Sequence, residues 1–288
     1  MYDARGASNE GSGNLLFATV TIVVVGLAFL GAWFGGGVFA GKSSNPIAQS
    51  TAIEDSALSA QMSSPEEQRF LYALNALDSD AYTRLERDYM SAGTRDARLK
   101  TVGDAATRAV MANIQHLAHI SAQDINQMLS LALREVGEAR HANHELCRGS
   151  SYAGLKSMSR RQVANWMGSH ALDPEAAYTN SVIWQADLLE MIARAKRAPQ
   201  RHGQLTAQDQ QAFRGLALSL MSDPVIMQLA MSNGDPAALG DADVCAMAET
   251  LLREVRGLPD DTKARGWASL LETPEFQRGL GQIRQMGY

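Results

Sequence analysis

Six histidines are the residues of this sequence best suited to hold a metal or move a proton. His116 and His119 stand one helical turn apart, as do His141 and His144. Glu138 with His141 makes a Glu-x-x-His step of the kind that builds di-iron centres in helical bundles. Such a centre needs ligands converging from several helices, and the chain holds no second Glu-x-x-His. Glu138 and His141 fall opposite the apolar positions of their helix. His119 falls off the stripe of Ala106, Val110, Leu117 and Ile120, so these groups read as solvated faces. His144-Glu145 runs on into Leu146-Cys147-Arg148, without the second histidine of a zinc-protease helix. Neither metal nor cofactor is expected.

Nucleophile chemistry fares no better. Gly149-Ser150-Ser151-Tyr152-Ala153 approaches the pattern that exposes a serine on a strand-to-helix turn, but a helical segment precedes it. Gly149 reads instead as a helix C-cap followed by a loop. Asp241 and Asp243 could ligate a cation; an N-cap and a first-turn acid are the simpler reading. An acid/base pair would need convergent carboxylates in a cleft, for which Asp187 and Glu190 are the residues to watch.

Cys147 and Cys245 are the only cysteines. Each is expected at a helix end near the apolar side, so the pair is predicted to form a disulfide. Closing a loop of roughly a hundred residues would contribute at most about 4 to 5 kcal/mol by the chain-entropy account. A disulfide implies an oxidising compartment; two buried thiols would imply a reducing one. The densest basic cluster, Arg194, Lys196, Arg197 and Arg201 with His202, falls at a predicted helix end, where cations offset the macrodipole. It is also the candidate contact patch for anionic lipid or an acidic partner.

The elements that must position these residues are helices. Ala, Leu and Met are abundant, aromatics make up 6% of the chain, and no stretch alternates as a half-buried strand would. Ser64-Pro65, Asp173-Pro174, Asp223-Pro224, Asp235-Pro236 and Thr273-Pro274 each place a capping side chain before proline, the residue favoured at the first helical position. Ser64 has Glu67 three residues on, completing a capping box. These marks predict helices over 65–77, 80–91, 95–119, 122–147, 160–170, 174–197, 207–221, 224–232, 241–256, 262–271 and 274–286. The helix from 122 has one apolar stripe through Ile125, Leu129, Ala132, Val136, Ala139 and Leu146, interrupted by Asn143. The helix from 174 is apolar on most sides and is expected at the centre of the core. Pro174, Pro224 and Pro274 recur at a fifty-residue spacing that would fit stacked hairpins, although the surrounding text repeats at only two of them.

Ahead of this domain, residues 15–34 form twenty uncharged residues, long enough as a helix to cross roughly 30 Å of hydrocarbon. The expected organisation is a polar tail over 1–13, a transmembrane anchor over 14–41, a linker over 42–63 and an all-α soluble domain over 64–288 with about ten or eleven helices. Gly31 and Gly35 have the small-xxx-small spacing that lets membrane helices pack, though the glycines at 35–37 serve equally to end the helix. With 26 basic residues against 31 acidic ones, a net charge of −5 and no concentrated basic face, nucleic acid is not an expected partner.

Together these features predict a single-pass inner-membrane protein whose all-α domain faces the periplasm. It would be a non-enzymatic interaction or scaffold subunit of an envelope or secretion assembly. Its partners would be other envelope proteins, the bilayer through residues 15–34, or a second copy. A cytoplasm-facing regulator and an envelope enzyme are the alternatives.

Overall fold

The computed structural model describes residues 56–142, 145–152, 174–232, 236–273 and 276–277. The tail, the anchor with Gly31 and Gly35, linker residues 42–55, Asn143, His144, and the segments 160–170 and 278–286 lie outside the described residues. Among the described residues there is no strand, only an isolated bridge between Arg148 and Asp243, and no helix is long and apolar enough to cross a membrane.

Ten α-helices follow in chain order among the described residues: α1 (Ala57–Gln61), α2 (Pro65–Leu77), α3 (Ser79–Ser91), α4 (Arg95–Asn113), α5 (Ala122–His141), α6 (Pro174–Arg197), α7 (Ala207–Met221), α8 (Pro224–Met231), α9 (Val244–Gly257) and α10 (Asp260–Leu271). Most of their starts obey capping chemistry, although α10, which follows Pro259, has no side-chain cap. Ser64 and Glu67 bond reciprocally at 3.2 and 3.1 Å, and Ser121–Asp124 and Thr206–Asp209 close two further boxes. Asp223 caps α8 ahead of Pro224, and Asp243 caps α9. Each such cap is worth about 1 kcal/mol.

Three boundaries differ most from the sequence reading, and the helix expected from 241 begins at Val244, with Asp243 rather than Asp241 as its cap. The assigned linker ends sooner, because Ser56 caps α1 while Leu58 and Met62 are fully buried. The helix expected over 95–119 tightens into a 3-10 helix at Ile114–His119. There the buried Asn113 turns its amide back onto the Ala109 carbonyl at 2.9 Å, competing with the backbone ladder. The helix from 122 stops at His141 rather than at 147, so Leu146 is not part of its apolar stripe. The chain instead makes 3-10 turns at Glu145–Cys147 and Gly149–Tyr152.

Helix α6 runs through the core against α2, with α4 and the 3-10 helix beside it. Val182, Ala186, Leu189, Ile192 and Ala193 are at most 1% exposed, as expected of a helix apolar on most sides. One carboxylate couples the start of α2 to α6: Glu67 closes the capping box through Oε2 and accepts the Tyr178 hydroxyl on Oε1 at 2.8 Å. Helices α5, α9 and α10 meet around the buried Lys263. Its ammonium donates to Asn126 Oδ1 at 2.6 Å and to the Arg256 carbonyl at 2.9 Å.

Candidate functional site

A cleft of about 580 Å³ opens where α2, the start of α5 and the end of α6 meet. That is within the usual range of small-ligand sites. Arg69, Asp124, Gln127, Glu190, Arg194 and Arg197 are among its lining residues, with His119 and Gln200 at one side. Asp187, Glu190 and Arg194 are spaced by three and four residues, which puts them along one stripe of α6 facing α2 and α5. Arg69 crosses from α2 to meet them.

The charges pair in sequence. Arg69 grips Glu190 with both edges of a fork, Nε to Oε1 at 2.8 Å and Nη2 to Oε2 at 2.7 Å. The same Nη2 donates to Asp187 Oδ1 at 2.5 Å. Arg194 donates to Asp124 Oδ1 at 2.5 Å, and its other terminal nitrogen lies 3.8 Å from Glu190 Oε2. Asp124 Oδ2 accepts the Ser121 backbone amide at 3.2 Å and its hydroxyl at 2.8 Å, so one carboxylate closes the capping box of α5 and anchors α6. Burial pushes the Asp187 carboxyl above the usual range, and the Arg69 guanidinium opposes that shift. Asp187 is 2% exposed and does not line the cleft; Arg69 stands in front of it.

The basic cluster read from sequence is not one patch. Arg194 is spent on Asp124. Lys196, though exposed, donates to the Leu77 carbonyl at the end of α2 at 3.0 Å and to Asn113 Oδ1 at 3.3 Å. Arg197 faces the cleft with no partner among the described residues, and Arg201 lies exposed beyond it. The segment carrying Arg201 is held on the 3-10 helix, with the Gln200 amide donating to the His119 carbonyl at 3.0 Å and His202 Nε2 lying 2.8 Å from the Ile120 carbonyl.

Cys147 and Cys245 are joined, with their Cα atoms 4.8 Å apart. Cys147, Asp243 and Cys245 form a group that could ligate a cation by proximity alone. With the sulfurs bonded to each other there is no thiolate to donate. Asp243 is also engaged, capping α9 through the Ala246 amide at 2.8 Å and taking Arg140 Nε at 2.9 Å. Asp241 accepts the Ser150 hydroxyl at 3.2 Å.

Gly149 opens a 3-10 turn instead of capping a helix, and the Ser151 hydroxyl donates to the Glu145 carbonyl at 2.6 Å. Those serines hold a turn together. Glu138 is more enclosed than its position on the outer face predicted. Its carboxylate lies 4.0 Å from Arg134, and one of its oxygens is buried, while His141 is exposed. His116 is half-buried, and burial lowers its pKa; no described carboxylate converges with it.

Sequence reasoning reached Asp187 and Glu190 but missed Arg69 and Asp124 as their partners. The available signal was the row of charges at 187, 190 and 194 on an otherwise apolar helix, which requires buried counter-charges. What it lacked was any local mark on the far partner. The fold and site define a multi-helix all-α domain with an internally paired ionic cleft and a cysteine pair. Comparison with protein-family models, curated proteins and solved structures finds no match to this chain.

Proposed function

We propose that the chain is a membrane-anchored interaction subunit of a bacterial envelope or secretion assembly, whose cleft receives a carboxylate from a partner protein. The observation that carries this reading is the occupancy of the cleft's own groups. Asp124 and Glu190 already accept from Arg194 and Arg69, while Arg197 faces the space without a described partner. Donors to spare call for an acceptor, and a guanidinium is the side chain best matched to a carboxylate.

Residues 15–34 would hold the chain in the inner membrane, and a cysteine pair persists in the periplasm rather than in the cytoplasm. Tethering raises the effective concentration of a weakly binding domain for its neighbours. The test is a photo-reactive residue at Gln127 of the full chain in cells. Arg197→Glu is expected to reduce the crosslinked product at least about tenfold, the scale of a truncated interfacial charge pair. Unchanged crosslinking would remove the cleft as the contact.

One observation favours an enzyme instead: a buried carboxyl held above its ordinary range beside a cleft is a frequent mark of catalysis. Against it, substrate would meet Arg69 before Asp187. The cytoplasm-facing alternative has its own test, since an impermeant maleimide would then label both cysteines only after lysis and without reductant. For a periplasmic domain, labelling in intact cells follows reduction.

A further inference from the structure

Of the four large apolar side chains exposed among the described residues, three lie on two consecutive helices. Leu218 on α7 is 76% exposed, and Met227 and Met231, one turn apart on α8, are 40% and 74% exposed. The two helices pack on each other. Single exposed apolar residues are ordinary on protein surfaces, but this concentration is coupled to an unusual charge pattern. From Gln210 to Ser232 the only charged residues are Arg214 and Asp223. Asp223 is committed to the cap of α8, accepting the Val225 and Ile226 amides at 2.8 and 3.2 Å. Arg214 is exposed and has no partner among the described residues. In a chain of net charge −5, these two helices carry exposed apolar side chains and a cation, Arg214, with no partner among the described residues.

We infer that the α7–α8 face docks on the surface of the bilayer that anchors the chain, with Met227, Met231 and Leu218 entering the headgroup boundary and Arg214 meeting anionic lipid. This rests on the anchor reading of residues 15–34. Between Phe34 and Ser56 the chain spans at most about 75 Å even when fully extended, so the domain never leaves the neighbourhood of the membrane. Confinement of that kind makes a few inserted side chains sufficient, where a free protein would need a longer amphipathic helix. An acidic protein surface would match Arg214 but would leave the three apolar side chains against charge. The boundary of an anionic bilayer matches both.

The test uses the full chain reconstituted in vesicles of phosphatidylcholine and phosphatidylglycerol. A fluorophore is placed by Ser219→Cys within the face and, in a separate protein, by Arg87→Cys on α3; the native cysteines are paired and do not label. Quenching by brominated lipid is expected to be at least about threefold stronger at 219 than at 87, the mark of a side chain at acyl depth. Met227→Glu with Met231→Glu should erase that difference. Should this variant fold poorly, Arg214→Glu serves as the second, lowering quenching in the mixed vesicles but not in phosphatidylcholine alone. Flotation of the same vesicles reports the anchor separately. A chain that does not float removes the anchor reading and the docking with it. A chain that floats with equal quenching at both positions overturns the docking and leaves the anchor standing. Self-quenching between labelled copies without lipid quenching shows that a second copy covers the face, and likewise overturns it.

Discussion

Arg265 holds Asp209 through two parallel bonds, Nε to Oδ2 at 2.7 Å and Nη2 to Oδ1 at 2.9 Å, while Asp209 also closes the capping box of α7. Its oxygens further accept the Thr262 hydroxyl at 2.7 Å and the Thr206 amide at 2.8 Å, and the residue is 0% exposed. One carboxylate therefore starts α7 and docks α10 on it. The Arg265 bonds, with those from Thr262 and Thr206, hold the Asp209 carboxyl far below the usual range.

A depressed folded pKa stabilises the fold at every pH above the unfolded value near 3.9, and that contribution is lost as pH falls below it. Asp209→Ala is accordingly expected to cost more than the about 1 kcal/mol of a lone cap deletion, because Arg265 and Thr262 lose their acceptor as well. Urea unfolding at neutral pH checks the cost. An acid titration of both proteins should show the gap between them narrowing below about pH 4.

Asp187 and Glu190 bind the same guanidinium, yet their substitutions should differ. Glu190 supplies both oxygens of the fork to Arg69, so Glu190→Gln breaks a buried pair and is expected to cost about 3 kcal/mol. Asp187 gives Arg69 one oxygen, and Oδ2 is buried with no hydrogen-bond partner. Its folded pKa is raised, so the charged form penalises the fold above that pKa and the penalty is relieved as pH falls through it. Asp187→Asn keeps the shape and removes the charge. It should change stability by less than about 1 kcal/mol at neutral pH and abolish this part of the pH dependence. Denaturant midpoints of the two variants, measured across acid to neutral pH, decide it.

Local marks in the sequence carried the helix starts well, since Ser64 and Asp223 each cap through bonds to amides only three residues or fewer away. The central place of α6 was legible for a similar reason: a helix apolar on most sides has nowhere else to go. Helix ends were less legible. The α-helix ends at Asn113, whose amide bonds to Ala109 and whose oxygen also meets Lys196 from another helix, a contact no window around 113 contains. The cleft was least legible, because Arg69 lies 121 residues from Glu190 and carries no motif. Arg194 and Lys196 looked alike in sequence and point to different partners, since two residues along a helix turn a side chain by about 200°.

The cysteine pair gives a separable stability test. It closes a loop of 98 residues between the turn after α5 and the start of α9. Arg140, on α5 just ahead of that turn, also reaches α9, through Asp243 at 2.9 Å and Glu249 at 3.3 Å. Arg140 is itself exposed, and without it Glu249 keeps Arg253 at 3.2 Å, so the covalent link should dominate. Cys147→Ser with Cys245→Ser is expected to cost up to about 4 to 5 kcal/mol and to make the protein's denaturation midpoint indifferent to reductant. Arg140→Ala should leave the parent's midpoint nearly unchanged in oxidising buffer.

Two glycines on helices should respond oppositely to the same change. Gly103, inside α4, has open space where a Cβ would stand, so Gly103→Ala gains helix propensity without a clash and is expected to stabilise by about 1 kcal/mol. A Cβ on Gly266 of α10 would stand 2.5 Å from Phe213 Cζ on α7. The same propensity gain is available there, but the Phe213 side chain must swing about χ1 or α10 must retreat, and overpacking of that kind typically costs about 1 to 3 kcal/mol. Retreat is opposed on the same helix by Arg265, whose fork to Asp209 fixes the α7–α10 distance one residue away. Gly266→Ala is therefore expected to be neutral or destabilising. A double variant, Gly266→Ala with Phe213→Leu, should recover part of the loss. Thermal unfolding of the single and double variants gives the sign, and stabilisation by Gly266→Ala alone would show that Phe213 is free to move.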